Sequence, residues 1–143
     1  MNRLTQGFII AAGIGLSILS GTALRADEPV FSDLPKPGKI CRIGAGYTFT
    51  YEFDKTPKMG TVILKIKLFD GSGARTTELG IIGRSDMPAM AGAHDSGDAA
   101  FRLNKKGDYL LPVSVVMPGK WEVRLVFSRG PDVIFRGRFT FDV

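Results

Sequence analysis

The sequence predicts an all-β protein, a sandwich of seven strands, and three observations support this. Apolar and polar residues alternate in short runs, which is the periodicity of a strand with one buried face. Breaks that contain glycine, asparagine or proline separate these runs at intervals typical of antiparallel sheets. No helical periodicity follows the N-terminal apolar segment of the 143-residue chain. We therefore expect two packed antiparallel sheets.

The N-terminus has the pattern of a secretory signal peptide, residues 1–23. Arg3 precedes an apolar run, 8–19, and small residues follow this run. We expect cleavage after Ala23, or as late as Ala26, and hence a periplasmic protein. The alternative is an uncleaved membrane anchor, but the glycine, serine and threonine content of the run argues against a bilayer span.

A proline-rich segment, 24–46, is expected to lead into the sandwich domain, 47–143. The first predicted strand, 47–53, alternates aromatic side chains with threonine and glutamate. The second, 62–68, alternates aliphatic residues with lysine and ends at an Asp-Gly-Ser-Gly turn. The third strand is predicted at 76–83.

Four more strands are expected after a methionine-containing loop. Residues 99–103 and 109–115 flank an Asn-Lys-Lys-Gly sequence, which predicts a hairpin. A Met-Pro-Gly break then precedes the strand 121–127, whose Trp121 is expected in the core. The last strand, 133–143, follows a Gly-Pro break, which completes the count of seven.

The charge pattern and the single cysteine restrict the function classes. The formal net charge is +5, and the basic residues form no dense block, so nucleic-acid binding is not expected. Cys41 cannot form an internal disulfide because it is the only cysteine. A buried thiol is its expected state, since unpaired cysteines are usually buried; an intermolecular disulfide and a metal ligand are the alternatives.

The residue inventory argues against an enzyme. His94 is the only histidine, and nothing in the sequence places it beside Cys41 or a serine for nucleophilic catalysis. Asp86, Asp95 and Asp98 flank a loop in which acidic residues are expected to form turns. The sequence carries no glycine-rich phosphate loop between a strand and a helix and no Cys-x-x-Cys motif. No small-molecule substrate is indicated.

The loop 87–94, with the sequence MPAMAGAH, is the part of the chain that indicates chemistry. Two thioethers and one imidazole lie within eight residues, and soft donors of this kind favour copper(I). Met87, Met90 and His94 are therefore the predicted metal ligands. Met59 and Met117 lie in other loops and can add a donor if the fold brings them close. The alternative is that the methionines fill gaps in the core.

The stretch 60–127 resembles the YtkA-like family of small exported domains, to which FixH-like proteins are similar. The matching features are, in order, a strand ending in Asp-Gly, a Met-Pro-x-Met loop with a nearby histidine, a Gly-x-Tyr strand start and a Met-Pro-Gly-x-Trp turn. The resemblance implies an immunoglobulin-like sandwich that takes part in metal export or oxidase maturation. Carried over by residue, it points to Met87, Met90 and His94. Alanines stand where related loops often carry further donors.

Together these observations predict an exported accessory or carrier protein for copper(I), with a metal-trafficking or membrane protein as its partner. One alternative is a metal-free interaction module whose loops or edge strand bind a partner. Another is a membrane-anchored factor in oxidase assembly, which requires that the N-terminal segment be retained.

Overall fold

The structure, a computed structural model, describes residues 26–143. The predicted signal peptide, 1–23, and the alternative of a membrane anchor lie outside these residues. Within 26–143, no helix has the length and apolar character needed to cross a membrane.

The described chain is all-β, as predicted, and its two sheets contain five strands each. The predicted count of seven strands is wrong, because there are ten. The strands are β1 (Ser32–Asp33), β2 (Cys41–Arg42), β3 (Thr48–Phe53), β4 (Gly60–Phe69), β5 (Gly80–Asp86), β6 (Ala99–Ala100), β7 (Arg102–Leu103), β8 (Tyr109–Val115), β9 (Lys120–Arg129) and β10 (Asp132–Asp142).

The first sheet has the order β1-β10-β9-β5-β6 and the second has the order β2-β3-β4-β8-β7. Their inner faces pack against each other through aromatic side chains. The rings of Phe49 and Phe127 lie 4.6 Å apart and those of Tyr51 and Phe139 lie 4.3 Å apart. Trp121 is buried in the same core, as predicted. Alternating residues of the longer strands supply this core, because successive side chains of a strand point to opposite faces.

One edge of the sandwich is closed by the segment 99–103, which the sequence predicted as a single strand. That prediction is wrong, because β6 pairs with β5 in the first sheet while β7 pairs with β8 in the second. Phe101 lies between the two short strands and is buried. Its N–H donates to the carbonyl of Ile81 at 2.9 Å. Burial of this ring turns the chain from one sheet to the other.

The opposite edge is closed in the same way by the proline-rich segment. There β1 pairs in parallel with β10, and β2 pairs with β3. The hydroxyl of Tyr51 donates to the carbonyl of Pro35 at 2.5 Å, which holds the segment against the second sheet. Prolines are tolerated here because an edge segment need not donate from every backbone nitrogen. The sheets therefore begin before residue 47, the predicted start of the sandwich.

The strand β5 lies later in the sequence than predicted. Residues 76–79 form a loop in which the carboxylate of Glu78 accepts hydrogen bonds from Tyr47 at 2.6 Å and Thr76 at 3.1 Å. The strand then continues to Asp86. Its centre is Gly83, where an added Cβ would lie 2.5 Å from Leu111. The two sheets approach closely at this point because residue 83 has no side chain.

Cys41 is a buried free thiol, as expected. Burial raises the pKa of this thiol to about 11. The thiolate, which is the nucleophilic and metal-binding form, is therefore disfavoured at neutral pH. This favours a packing role for Cys41 over the alternatives of an intermolecular disulfide or a metal ligand.

Candidate metal centre

One end of the sandwich, termed the methionine end, consists of three loops, 54–59, 87–98 and 116–119. Gly60 pairs with Val115, and β5 reaches Asp86 beside the start of β9, so the three loops leave their strands on the same side. Together with the beginning of β9, these loops hold the only histidine, the only tryptophan and four of the five methionines of the chain: Met59, Met87, Met90, Met117, His94 and Trp121.

The carboxylate of Asp86, just before the loop 87–98, holds the first part of this loop through hydrogen bonds to its backbone. One oxygen of Asp86 accepts the N–H of Met87 and the other accepts the N–H of Gly92, both at 2.8 Å. Between them, Pro88–Met90 forms a single 3₁₀ turn. Gly92 has φ +83, a conformation that glycine adopts without a steric penalty. The backbone that carries Met87 and Met90 is therefore compact.

A second set of hydrogen bonds ties the later part of the loop to β5. The guanidinium of Arg84 makes two hydrogen bonds to the carboxylate of Asp95, one of them at 2.7 Å. These bonds lower the pKa of Asp95 to about 2, so this carboxylate is ionised at neutral pH. Ser96 exchanges two hydrogen bonds with the backbone of Ser85, both at 2.9 Å. His94, next to Asp95, is thereby placed by a fixed segment.

Arg84 belongs to a row of three arginines across the outer face of the first sheet. Arg124 of β9 lies directly opposite Arg84 on one side and Arg138 of β10 on the other. Like charges at such positions repel each other, but each guanidinium contacts a carboxylate. Arg124 donates to Glu122 at 2.6 Å and Arg138 donates to Asp33 at 2.7 Å. Of these three carboxylates, only Asp95, the partner of Arg84, belongs to the methionine-containing loop.

The two predicted thioether ligands lie in different surroundings. Met87 is 4% exposed and belongs to the hydrophobic core, whereas Met90 is 43% exposed. The structure therefore does not bring both side chains to one surface. The alternative was that these methionines fill gaps in the core. The burial of Met87 fits this alternative, and the exposure of Met90 does not.

His94 is half-buried and lies over the beginning of β9. Its ring is 6.2 Å from that of Trp121, and the two planes are tilted by 43°. The indole N–H of Trp121 donates to the carbonyl of Met117 at 3.1 Å. Trp121 thus lies between the histidine of one loop and a methionine of another.

The remaining methionines lie on either side of the same end. Met117 is partly buried against the core, while Met59 is 52% exposed. Val116, which directly follows the Gly60–Val115 pair in sequence, is also 52% exposed. The methionine end therefore has an inner side, with Met87 buried and Met117 partly buried, and an outer side that presents apolar residues to solvent.

The soft donors at this end are thioethers and one imidazole, while the carboxylates of Asp95 and Asp98 in the same loop pair with Arg84. Among residues 26–143, the side chains of histidine, cysteine, aspartate and glutamate form no group of three or more that could hold a metal ion. Thioether ligands favour copper(I), whereas magnesium and calcium require oxygen ligands.

The sequence indicated only one of the residues that shape this site. Asp86 was expected to form a turn, and an aspartate before a turn commonly accepts backbone hydrogen bonds, so its role could be anticipated. The pairing of Arg84 with Asp95 and the contact between His94 and Trp121 had no local signal. They arise from strand pairing and from the path of a long loop.

The comparisons with known proteins give a likeness in fold. No family model and no curated protein matches the chain. Among solved structures, the chain is similar to the crystal structure of 'as isolated' FetP of the uropathogenic E. coli strain F11, a protein that was expressed recombinantly in the periplasm of E. coli BL21(DE3). The TM-score is 0.51 at 12% identity, and the match covers 75% of this chain and 93% of FetP. FetP therefore shares the fold of this chain.

Proposed function

We propose that this protein is an exported, immunoglobulin-like domain of the YtkA-like type that binds copper(I) through Met87, Met90 and His94. It acts as an accessory or carrier and not as a catalyst. The observation that supports this proposal is that the four methionines and the one histidine of the described chain lie at one end of the sandwich. A metal-trafficking or membrane protein is the proposed partner.

Copper(I) binding requires Met90 to turn back towards Met87 and His94. The residues between Met90 and His94 are Ala91, Gly92 and Ala93, so no large side chain obstructs this movement. Met90 is exposed and loses no core contacts when it moves. His94 and Met87 form the fixed part of the proposed site, and Met90 closes it.

Export is part of the same proposal. The predicted signal peptide supports it, and the fold is shared with FetP, a protein that was obtained by expression in the periplasm. The mass of the full chain after expression in an exporting host tests the cleavage. A mature protein that begins at Leu24 or Asp27 supports export with cleavage. The mass of the uncleaved chain would instead favour the membrane-anchored assembly factor.

The metal-binding proposal is tested by titrating the exported protein with copper(I) against a competing chelator. We expect saturation at one equivalent. The substitutions Met90→Leu and His94→Ala should each weaken binding by about tenfold, or roughly 1.4 kcal/mol. Met59→Leu is the matched control, because it removes an exposed thioether from the same end but outside the proposed ligand set. Equal affinities of all four proteins would contradict the proposal.

A metal-free interaction module is the second candidate. The observation that favours it is the exposure of Met59, Met90 and Val116 at the same end, since flexible methionines suit binding surfaces that adapt to a partner. The copper(I) titration distinguishes the two functions. A partner that is retained equally by the wild type and by a Met87→Ala, Met90→Ala double variant, without copper(I) binding, would favour the second.

A further inference from the structure

We infer that the copper(I) site is built from two loops, with the thioether of Met117 as a fourth ligand beside Met87, Met90 and His94. This inference rests on the proposed function and deepens it. Met117 belongs to the turn between β8 and β9, whereas the other three ligands belong to the loop after β5. Metal binding would therefore join the two loops.

The first supporting contact lies between Met87 and the turn 116–119. A Cβ added to Gly119 would lie 2.9 Å from the terminal methyl carbon of Met87. Gly119 also has φ +133, a conformation that residues with a side chain rarely adopt. Because residue 119 has no side chain, the thioether end of Met87 lies against the turn that carries Met117.

The second supporting contact fixes the backbone of Met117. Trp121 is buried, and its indole N–H holds the Met117 carbonyl at 3.1 Å. The side chain of Met117 packs against the core, so it lies on the same buried side of the end as Met87. His94 contacts the other side of this arrangement through its ring, 6.2 Å from that of Trp121. Trp121 therefore contacts the backbone of Met117 and the ring of His94, and the turn that carries Met117 contacts the thioether end of Met87.

The chemistry of this arrangement suits a soft ion. Met87, Met117 and His94 provide two thioethers and one imidazole from residues that are buried or half-buried, and Met90 supplies a third thioether from the exposed side. Ligands held by the core before the metal arrives need less ordering on binding. A site of this kind takes copper(I) in preference to hard divalent ions.

The inference is tested on the exported protein labelled with carbon-13 in the methionine methyl groups. Copper(I) alone is added while the methyl signals are followed by NMR. We expect the signals of Met87, Met90 and Met117 to shift together and to saturate at one equivalent, with that of Met59 unchanged. In the chelator competition, Met117→Leu should weaken binding by about tenfold, while the matched change Met59→Leu leaves the affinity unchanged.

The outcomes separate this inference from the proposed function. If the Met87 and Met90 signals shift with copper(I) and His94→Ala weakens binding, while the Met117 signal does not shift and Met117→Leu binds as tightly as the wild type, the four-ligand site is overturned and the proposed function stands. If the wild type binds no copper(I), both are overturned. Should Met117→Leu fail to fold, the methyl shift of Met117 in the wild type decides.

Discussion

The two ends of the sandwich are held together by different chemistry. The end opposite the methionine end, termed the polar end, consists of the loops 70–79, 104–108 and 130–131. Its central residue is Asp108, which is 5% exposed. Asp108 accepts hydrogen bonds from Arg75 at 2.5 Å and from Asn104 at 3.2 Å. At the methionine end, hydrogen bonds hold the backbone of the loop 87–98 to Asp86 and to β5, and the buried side of the loops is filled by the apolar side chains of Met87 and Met117.

This difference shows which end can rearrange around a ligand. Directional hydrogen bonds to a buried carboxylate have one favourable geometry, and losing a partner leaves a polar group unsatisfied. Methionine side chains are flexible and tolerate several packing arrangements. The side chains of the polar end are therefore held in one arrangement. Those of the methionine end can change their packing at a smaller cost in free energy.

The largest expected effect is a difference in stability between variants of two methionines in one loop, Met87 and Met90. Met87→Ala should lower the free energy of unfolding by about 2–4 kcal/mol, because it leaves a cavity in the core. Met90→Ala should change it by less than about 0.5 kcal/mol, because its side chain is exposed. Urea unfolding of both variants measures this difference. Equal losses would show that Met90 also packs into the core and would remove the distinction between a fixed and a movable ligand.

The next effect concerns the polar end. Asp108→Ala should lower the free energy of unfolding by about 1–2 kcal/mol, since Arg75 and Asn104 lose their acceptor while Arg75 keeps access to water. Asp132→Ala, at the exposed first residue of β10, is the control and should change stability by less than about 0.5 kcal/mol. If Asp108→Ala leaves the free energy of unfolding unchanged, the carboxylate does not stabilise this end.

The same residue predicts a dependence on pH. The hydrogen bond from Arg75 holds the pKa of Asp108 below its usual value, so the folded state favours the ionised form. The stability that Asp108 contributes is therefore complete above the unfolded-state pKa of about 3.9 and is lost as the pH falls through the folded-state pKa. In urea unfolding at a series of pH values, the difference between wild type and Asp108→Ala should be constant from about pH 5 to 7 and shrink below about pH 4. A difference that grows in acid would contradict this.

The smallest expected effect is a coupling at the methionine end. Gly119→Ala should destabilise the wild type by about 1–3 kcal/mol, partly through its backbone conformation and partly through contact with Met87. In the Met87→Ala background the steric part is relieved, so the loss should be smaller by about 1 kcal/mol. Gly130→Ala is the control, because its φ is +56 and nothing lies within 4 Å of an added Cβ. Its loss should be the same in both backgrounds.

An identical loss for Gly119→Ala with and without Met87 would show that the contact between Met87 and the turn 116–119 does not restrict the fold. That result would weaken the case for a site shared by the two loops. The coupling is measured by urea unfolding of the two single variants and the double variant, and it needs no metal.

The sequence was most informative about the strands with a regular alternation. The runs at β3, β4, β8 and β9 were predicted within a few residues, because one apolar face and one polar face give a local signal. The predictions were wrong where a strand was short or lacked the alternation. Phe101 breaks one predicted strand into two, and the polar residues Ser85 and Asp86 conceal the end of β5.

The candidate site was predictable only as a list of ligands. The spacing of Met87, Met90 and His94 in one loop is visible in the sequence, and so is the softness of their donor atoms. The difference in burial between Met87 and Met90 is not visible in the sequence, because neither methionine lies in an alternating run. The contact of Met87 with Gly119 joins two loops, and no pattern within either loop indicates it.

The sequence by itself therefore determined the all-β class, the burial of Trp121 and Cys41, and the residue types available for chemistry. These properties depend on the composition and on a period of two residues, both of which are local. The tertiary structure decided which loops meet at each end, how the segments 32–42 and 99–103 close the two edges, and which methionine is buried. These depend on strand register and on hydrogen bonds between distant parts of the chain, which only the folded backbone fixes.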